Sequence, residues 1–195
     1  MTRRTQAERS DTTTSQLIGA ARKLFGEYGY AATSIDAVAA TAGVTKGAAY
    51  HHFEGKLGLF RATFTRAQEE LATHLEEVGA ASPDTWTALR RGCRTFLEHC
   101  LDPGFRRIVL LDAPSVLGWE EVRQIQHASV LRVLLNAMRA TDAHLASETL
   151  TIRGQLMFGA LCEAGMLLAR SPDPKAALGP ITTQADILLT ALHNP

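Results

Sequence analysis

The sequence has 195 residues, 46% of them hydrophobic, and its 20 Lys and Arg residues balance 20 Asp and Glu residues. A chain of this size can bury a sizeable core in one or two domains, which excludes a disulfide-stabilised mini-protein and a disordered tail. Three cysteines without C-x-x-C spacing argue against a disulfide framework, the N-terminus does not resemble a signal peptide, and no apolar run reaches the roughly 18 residues of a membrane helix. We therefore expect a cytoplasmic protein that does not cross a membrane.

The charges are distributed unevenly along the chain. Residues 1–66 contain nine Lys or Arg and five Asp or Glu, whereas residues 67–195 contain 11 and 15. Such an asymmetry suggests an N-terminal region that binds a polyanion, attached to a body with another role. Solvated helix faces produce similar patterns, so this observation alone leaves both interpretations open.

The first three predicted helices are short and have clear boundaries. Apolar residues recur at helical spacing between residues 17 and 28, after polar residues 10–15 that offer N-caps, and Gly26 and Gly29 mark the end. Residues 33–36 form a capping box (Thr-Ser-Ile-Asp) that opens a second helix, which ends at Gly43. Thr45 caps a third helix, where Val44 and Ala49 match a hydrophobic staple.

Six further helices are predicted in the rest of the chain. They span residues 56–78, 86–100, 105–111, 119–138, 148–170 and 181–192, with an irregular break at residues 112–115. No segment alternates polar and apolar residues like a strand. The sequence therefore predicts an all-α fold of about nine helices, with a three-helix domain at 1–60 and a second helical domain at 61–195.

The second and third helices, joined by a turn that contains Gly43, form a helix–turn–helix pattern. If Val44, Ala49 and Phe53 face inward, the opposite face of the third helix carries residues of the types that contact DNA. Those residues are Lys46, Gly47, Tyr50 and His51, and Ala48 is small enough to allow close approach of the backbone. Thr33 and Ser34 offer a binding site for a DNA phosphate at the start of the second helix. The positive charge of Lys56 at the start of the fourth helix is unfavourable for the helix dipole, unless a phosphate binds there. The alternative is an ordinary solvated face.

The run AARKLFGEYGYAATSIDAVAATAGVTKGAAYHHFEGKLGLF resembles the DNA-binding segment of TetR-family transcriptional regulators. The family pattern is A-x-x-L-F, G-Y/F-x-x-T-S/T, an AGV-S/T turn, G-x-x-Y-x-H-F and a lysine that opens the fourth helix, and the match covers residues 14–64. Gly58 departs from it, since the family often has an acidic residue there. The resemblance implies DNA contacts by Thr33, Thr45, Lys46, Gly47, Tyr50, His51, His52 and Lys56. It also implies a homodimer that binds a palindromic double-stranded DNA operator, represses transcription and is released by a small molecule.

The predicted helix at 148–170 is apolar on all sides, and Glu163 is the one charged residue between 156 and 169. Such a helix must be covered on every side, by the core and by a second subunit. With the last helix it predicts a dimer interface formed by Phe158, Leu167, Ile181, Ala185, Leu188 and Leu192. The alternative is a central core helix of a monomer.

A ligand pocket is expected near the middle of the second domain, where large or polarisable side chains cluster. The candidates are Phe96, Cys100, Phe105, Leu110, Asp112, Trp119, His127, Met157, Leu161, Cys162 and Met166. Asp112, His127 and Glu163 stand out because polar groups in apolar runs need a partner. Most of the others would belong to the core of any helical protein. The expected effector is small and largely apolar.

Two other classes of protein fit the sequence less well. An enzyme would need a catalytic signature, and the sequence has neither H-E-x-x-H nor G-x-S-x-G nor a phosphate-binding glycine loop. His99 and Cys100 diverge by about 100° on a helix, which favours a core cysteine beside a surface histidine. A non-specific DNA compactor would need a large basic surplus. We therefore predict a regulator that is not an enzyme and uses no cofactor and no metal.

Overall fold

The computed structural model describes the backbone of residues 6–193 and the side chains from Ser10 onwards. Arg3, Arg4 and the side chain of Arg9, which contribute to the N-terminal basic surplus, lie outside the described residues. Within that part of the chain the structure is all-helical without strands, as predicted. The helices are α1 Gln6–Ala32, α2 Ile35–Ala42, α3 Lys46–His52, α4 Gly55–Ala80, α5 Thr85–His99, α6 Pro103–Arg106, α7 Ala113–Val116, α8 Trp119–Ala128, α9 Val130–Thr141, α10 Ser147–Arg170 and α11 Pro174–His193.

Helix α1 begins earlier than predicted and ends as predicted. The polar residues 10–15 lie inside the helix, so they are not its N-caps. At Gly29 the backbone leaves helical geometry with φ 82° and ψ 169°, which favours glycine. The rings of Phe25, Tyr30 and Phe60 pack around this bend, with centroids 5.1–5.9 Å apart. This cluster joins the end of α1 to the start of α4.

The caps of α2 and α3 hold the two short helices in place. Ser34, not Thr33, is the N-cap of α2, and its hydroxyl accepts a hydrogen bond from the Ala37 N–H at 3.1 Å. Gly43 ends α2 in the left-handed region with φ 69°, as predicted. Thr45 caps α3 by accepting from the Ala48 N–H at 3.1 Å, and Ala49 is buried beneath it. The helix–turn–helix is therefore specified by local interactions.

In the second half of the chain the helix boundaries differ from the prediction in three places. A π-helical segment, Arg107–Asp112, joins α6 to α7, so residues 112–115 are not an irregular break and Pro114 lies in the first turn of α7. The single helix expected at 119–138 is divided at Ser129, whose φ of −128° and ψ of −109° separate α8 from α9. Helix α11 starts before Pro180 and continues through it. Over residues 6–193 no helix is long and apolar enough to cross a membrane.

Helices α1 and α6 approach so closely that only glycine fits at their crossing. A Cβ atom added to Gly26 would lie 2.9 Å from the Cα of Gly104, and one added to Gly104 would lie 3.4 Å from the Cα of Gly26. One turn away, the Tyr30 N–H donates to the Asp112 carboxylate at 2.7 Å. These contacts tie the N-terminal helices to the π-helical segment. Helix α4 also crosses the expected domain boundary at residue 60 without interruption.

The Gly26→Ala substitution is expected to lower the free energy of unfolding by about 1–3 kcal/mol, because the new methyl group forces two backbones apart. The matched control is Gly19→Ala in the same helix, where no described heavy atom lies within 4 Å of an added Cβ. There alanine is expected to stabilise the helix by up to about 1 kcal/mol. Urea denaturation midpoints measure both effects, and equal stabilisation by the two variants would contradict the close crossing.

Candidate nucleic-acid interface and internal cavity

The outward face of α3 carries the residues that the sequence placed there. Lys46, Gly47, Tyr50 and His51 are exposed, whereas Ala49 is completely buried. No described heavy atom lies within 4 Å of a Cβ added to Gly47, so a flat surface is open in front of this turn. Ala48 is half-buried beside it. This side of α3 is exposed, carries small side chains at two positions and offers several hydrogen-bond donors. These are the properties that a helix needs to enter a DNA groove.

The ammonium group of Lys46 is oriented by Asp36 in the first turn of α2. Its Nζ donates to the Asp36 carboxylate at 2.6 Å and lies 5.7 Å from the centroid of the Tyr50 ring. The hydrogen bond and the charge of Asp36 raise the pKa of Lys46, so the group is a cation at every physiological pH. Both side chains are well exposed. The sequence did not indicate this ion pair, which links the two helices of the motif.

Lys56 lies in the first turn of α4, as expected, but it already has partners. Its Nζ donates to the Ala31 carbonyl at 3.2 Å and stands 4.2 Å from the centroid of the Tyr30 ring. The carbonyl at the end of α1 and the ring face offset the unfavourable α4 dipole. Lys56 therefore holds α1 and α4 together while its charge stays at the surface.

Two predicted contact residues are turned toward the protein. Thr33 is 4% exposed, and its hydroxyl donates to the carbonyls of Gly29 at 2.8 Å and Leu24 at 3.1 Å. The structure thus corrects the prediction for this residue, because its hydroxyl is used inside helices α1–α3, which we call the head. His52 is half-buried, and its Nδ1 lies 3.2 Å from the Thr14 hydroxyl. Ser34 remains exposed at the start of α2.

An apolar cavity of about 260 Å³ lies between α4, α5, α9 and α10. Its walls combine small residues with larger apolar side chains, and Glu76, Thr85 and Asn136 are the polar residues among them. The lining consists of Leu75, Glu76, Gly79, Ala80, Thr85, Ala88, Leu89, Gly92, Cys93, Phe96, Val130, Val133, Leu134, Asn136, Ala137, Ala140, Phe158 and Leu161. This volume is slightly below the roughly 300–1,000 Å³ of most small-molecule sites, and the lining favours a small apolar ligand.

Most of the predicted pocket residues lie outside this cavity. Phe96 and Leu161 line it. Cys100, Phe105 and Met157 are buried in the core, and Leu110, Asp112, Cys162 and Met166 are half-buried elsewhere. Trp119, 67% exposed, and His127 face solvent, so the structure does not support their placement in a pocket. Asp112 instead accepts the Tyr30 N–H, which satisfies its carboxylate.

A set of large apolar side chains is exposed on α10 and α11. We call it the α10–α11 face, and its members are Ile152, Leu156, Leu167, Ile187 and Leu188. Leu156 is 63% exposed, and the three α10 residues share one side because they are separated by four and eleven positions. Apolar clusters of this kind mark surfaces that another protein covers.

The predicted interface residues divide between this face and the interior. Leu167 and Leu188 belong to it, and Ile181 and Leu192 are half-buried at the margin of α11. Phe158 is buried and lines the cavity, and Ala185 is buried within the protomer. The prediction was wrong for these two because an apolar helix does not reveal which of its sides faces the core. Ile152 and Leu156 of α10 and Ile187 of α11 were missed, for the same reason.

The described residues give little support for a reactive cysteine thiol or for a metal site. Burial raises the pKa of the Cys100 thiol to about 12, so almost no thiolate exists at neutral pH. Burial raises the pKa of Cys93 and of Cys162 to about 12 as well. Among residues 10–193 no cluster of three or more His, Cys, Asp or Glu side chains could hold a metal ion.

The capped helix–turn–helix, packed against a body of further helices, places the protein in the class of helix–turn–helix DNA-binding regulators. Residues 17–63 match the family described as bacterial regulatory proteins, tetR family, and residues 86–192 match the tetracyclin repressor-like C-terminal domain. The protein belongs to the TetR family of transcriptional regulators. Membership confirms the predicted fold and the prediction that it regulates transcription and is not an enzyme.

Proteins similar to this one match it over different fractions of its length. The Transposon Tn10 TetC protein of Escherichia coli is 32% identical over 120 residues, which cover 62% of this chain and 60% of that protein, less than two thirds of its length. The solved structure of a TetR-family regulator from Pectobacterium atrosepticum superposes on this protein with a TM-score of 0.77 at 34% sequence identity. The match covers 98% of this chain and 99% of that chain. RolR, solved in complex with resorcinol, shares the fold with a TM-score of 0.67 at 18% identity, and the match covers 97% of both chains.

Proposed function

We propose that this regulator is a homodimeric repressor that binds a palindromic operator and is released by a small apolar molecule. The observation that carries the proposal is the exposed α10–α11 face, because five large apolar side chains on one surface need a cover. A second copy supplies the same surface around a two-fold axis, which forms a four-helix interface and pairs two recognition helices. Two-fold symmetry in the protein then selects two-fold symmetry in the DNA.

The proposed DNA-binding surface consists of the exposed residues of α3 and the helix ends around it. Its members are Ser34, Thr45, Lys46, Gly47, Ala48, Tyr50, His51, His52 and Lys56. Thr33 is left out because its hydroxyl is used inside the head. Residues of α3 enter the major groove, while Ser34 and Lys56 contact phosphates on either side.

Release requires that the cavity and the head communicate, and a chain of packed groups supports such coupling. Phe158 and Leu161 of α10 line the cavity. One turn further along α10, a Cβ at Gly165 would lie 2.9 Å from both Cys100 and Leu110, so α10 packs tightly on the π-helical segment. That segment holds the end of α1 through Asp112. A ligand that shifts this packing is expected to change operator affinity by about 1–3 kcal/mol.

The proposed function is tested with the DNA upstream of the gene itself, using sedimentation, binding isotherms and transcription in vitro. A dimer should bind with an affinity that falls by about 10³–10⁵ between 50 and 200 mM salt if six to ten phosphates are contacted. Transcription from the adjacent promoter should fall on binding. Binding as a monomer or affinity that is independent of salt would contradict the proposed binding mode, and increased transcription would identify an activator.

The Lys46→Ala substitution is expected to change base preference at one symmetric operator position by about 1–3 kcal/mol, because the exposed ammonium can reach a base edge. Binding to operators varied at each position measures this change. A uniform fall in affinity for all sequences would instead assign Lys46 to a phosphate.

The Lys56→Ala substitution is expected to weaken binding to all sequences alike and to lower the salt slope by about 0.9 for each phosphate that the lysine neutralises. Lys175→Ala, at an exposed position of α11, is the matched control and should leave binding unchanged. The ratio of specific to random DNA binding should stay constant for Lys56→Ala. A change in that ratio would mean that Lys56 acts on sequence recognition.

A further inference from the structure

Asp36 and Lys46 carry opposite charges within the helix–turn–helix. Between residues 33 and 53, Asp36 is the one Asp or Glu and Lys46 is the one Lys or Arg. The two side chains form an ion pair, with 2.6 Å between the Lys46 Nζ and the Asp36 Oδ2. DNA attracts cations, yet the acid cancels the one Lys or Arg charge that this part of the proposed DNA-binding surface offers.

Folding stability accounts for only a small part of this arrangement. Asp36 is 53% exposed and Lys46 is 63% exposed, and ion pairs at such exposed positions contribute little to stability. Asp36 lies in the first turn of α2, where an acid is favourable for the helix dipole, and Lys46 begins α3, where a cation is unfavourable. These are local effects on two helix ends, and a test has to separate them from an effect on DNA binding.

The ion pair lies on the surface proposed to bind DNA. On α3 the Lys46 Nζ is 5.7 Å from the centroid of the Tyr50 ring, and the position beside it, Gly47, faces open space. On α2 Asp36 follows Ser34, the exposed N-cap that is proposed to contact a phosphate, by two residues. The carboxylate therefore holds the ammonium group of α3 from a position close in sequence to the proposed phosphate contact of α2.

Pairing with a carboxylate changes which DNA groups the ammonium can bind. An ammonium group has three N–H donors, so one hydrogen bond to Asp36 leaves two donors for other acceptors. Guanine presents two such acceptors, O6 and N7, in the major groove. A phosphate gains less from a cation that is already neutralised, and the carboxylate itself repels the phosphate. The pair therefore favours a base contact over a phosphate contact.

We propose that Asp36 is a specificity-determining residue, which holds the Lys46 ammonium for a base edge and keeps it from DNA phosphates. The inference rests on the proposed function and concerns how the same surface discriminates between sequences. Asp36 acts through Lys46 and is therefore a positioning residue. A sequence without the matching base loses the base contact and gains no phosphate contact in exchange, which increases the difference in affinity between operator and other DNA.

The test is the Asp36→Asn substitution, which keeps the shape of the side chain and removes its charge. The freed ammonium should bind a phosphate on any DNA, so the salt slope for a duplex of mixed sequence should steepen by about 0.9 per subunit. In about 0.1 M salt the affinity for that duplex should rise by about tenfold. The affinity for the DNA upstream of the gene should rise less, so the ratio of specific to random binding should fall several-fold. Because loss of folding cannot increase affinity, this readout separates recognition from structure.

Two further variants serve as controls. Glu27→Gln removes one negative charge at an exposed position of α1 and should leave the ratio of specific to random binding unchanged. Asp36→Glu keeps a carboxylate at the same position and should retain most of the ratio of the wild type. Melting temperatures of all variants report the local effects on the ends of α2 and α3.

The outcomes separate this inference from the proposed function. If Asp36→Asn binds the mixed-sequence duplex no more tightly than the wild type does, or gains the same factor on both DNAs, Asp36 does not direct Lys46 and the inference is wrong, while the proposed function stands. A weaker affinity for both DNAs with a lower melting temperature would assign Asp36 to the structure of α2 and would also overturn the inference. If the wild type binds the upstream DNA no more tightly than the mixed-sequence duplex, both are wrong.

Discussion

The Leu156→Arg substitution is expected to produce a monomer that binds the operator about 10²–10⁴-fold more weakly than the dimer. Leu156 is the most exposed member of the α10–α11 face, so in a symmetric dimer the substitution buries two arginines in an apolar interface. A monomer has one recognition helix and lacks the effective concentration that a linked second helix provides, which accounts for the size of the effect. Sedimentation measures the assembly and an operator titration measures the affinity.

The control for this substitution is Ala128→Arg, at an exposed position at the end of α8 that is not part of the α10–α11 face. It should remain dimeric and bind normally. If Leu156→Arg also remains dimeric, the subunits associate through another surface, and the α10–α11 face has a different partner.

The Ala137→Phe substitution is expected to abolish binding of a small apolar probe and to leave operator binding intact. Ala137 lines the cavity on α9, and a phenyl ring there takes up a substantial part of the roughly 260 Å³ that an aromatic probe would need. With toluene at about 100 times its dissociation constant, the wild type should gain about 2.7 kcal/mol, or roughly 5–10 °C in melting temperature. The variant should show no ligand-dependent shift.

The same substitution at Ala128, which does not line the cavity, provides the control and should retain the toluene shift. An unchanged shift in Ala137→Phe would place the probe at another site. Failure of Ala137→Phe to bind the operator without ligand would instead mean that the filled cavity mimics the bound state.

The N-terminal region was predictable because its structure is fixed by interactions a few residues apart. The left-handed turn at Gly43, the Thr45 cap and the burial of Ala49 follow from the sequence alone. Two local errors remain: the start of α1, because polar residues 10–15 lie inside the helix, and the choice between the adjacent hydroxyl residues Thr33 and Ser34. Both can cap a helix, and the bend at Gly29 decides that Thr33 turns inward.

In the C-terminal part of the chain the positions of most helices were predictable from the sequence. Which side of each helix faces the core was not. Helix α10 matches its predicted range almost completely, yet Phe158 faces the cavity and Leu156 faces outward. On a helix that is apolar all round, periodicity does not distinguish these sides, and only the packing of α5, α9 and α11 does. The break at Ser129 has no Gly or Pro before it, and Pro103-Gly104 before the π-helical segment do not distinguish a π-helix from an α-helix.

Selection of bound fragments from a random DNA pool tests the central claim most directly. A homodimer with one α3 per subunit should select an inverted repeat, with half-sites about 34–36 Å apart or somewhat more, and Leu156→Arg should abolish the selection. Single asymmetric sites, or a bound pool without any sequence preference, would contradict a dimeric operator-binding regulator.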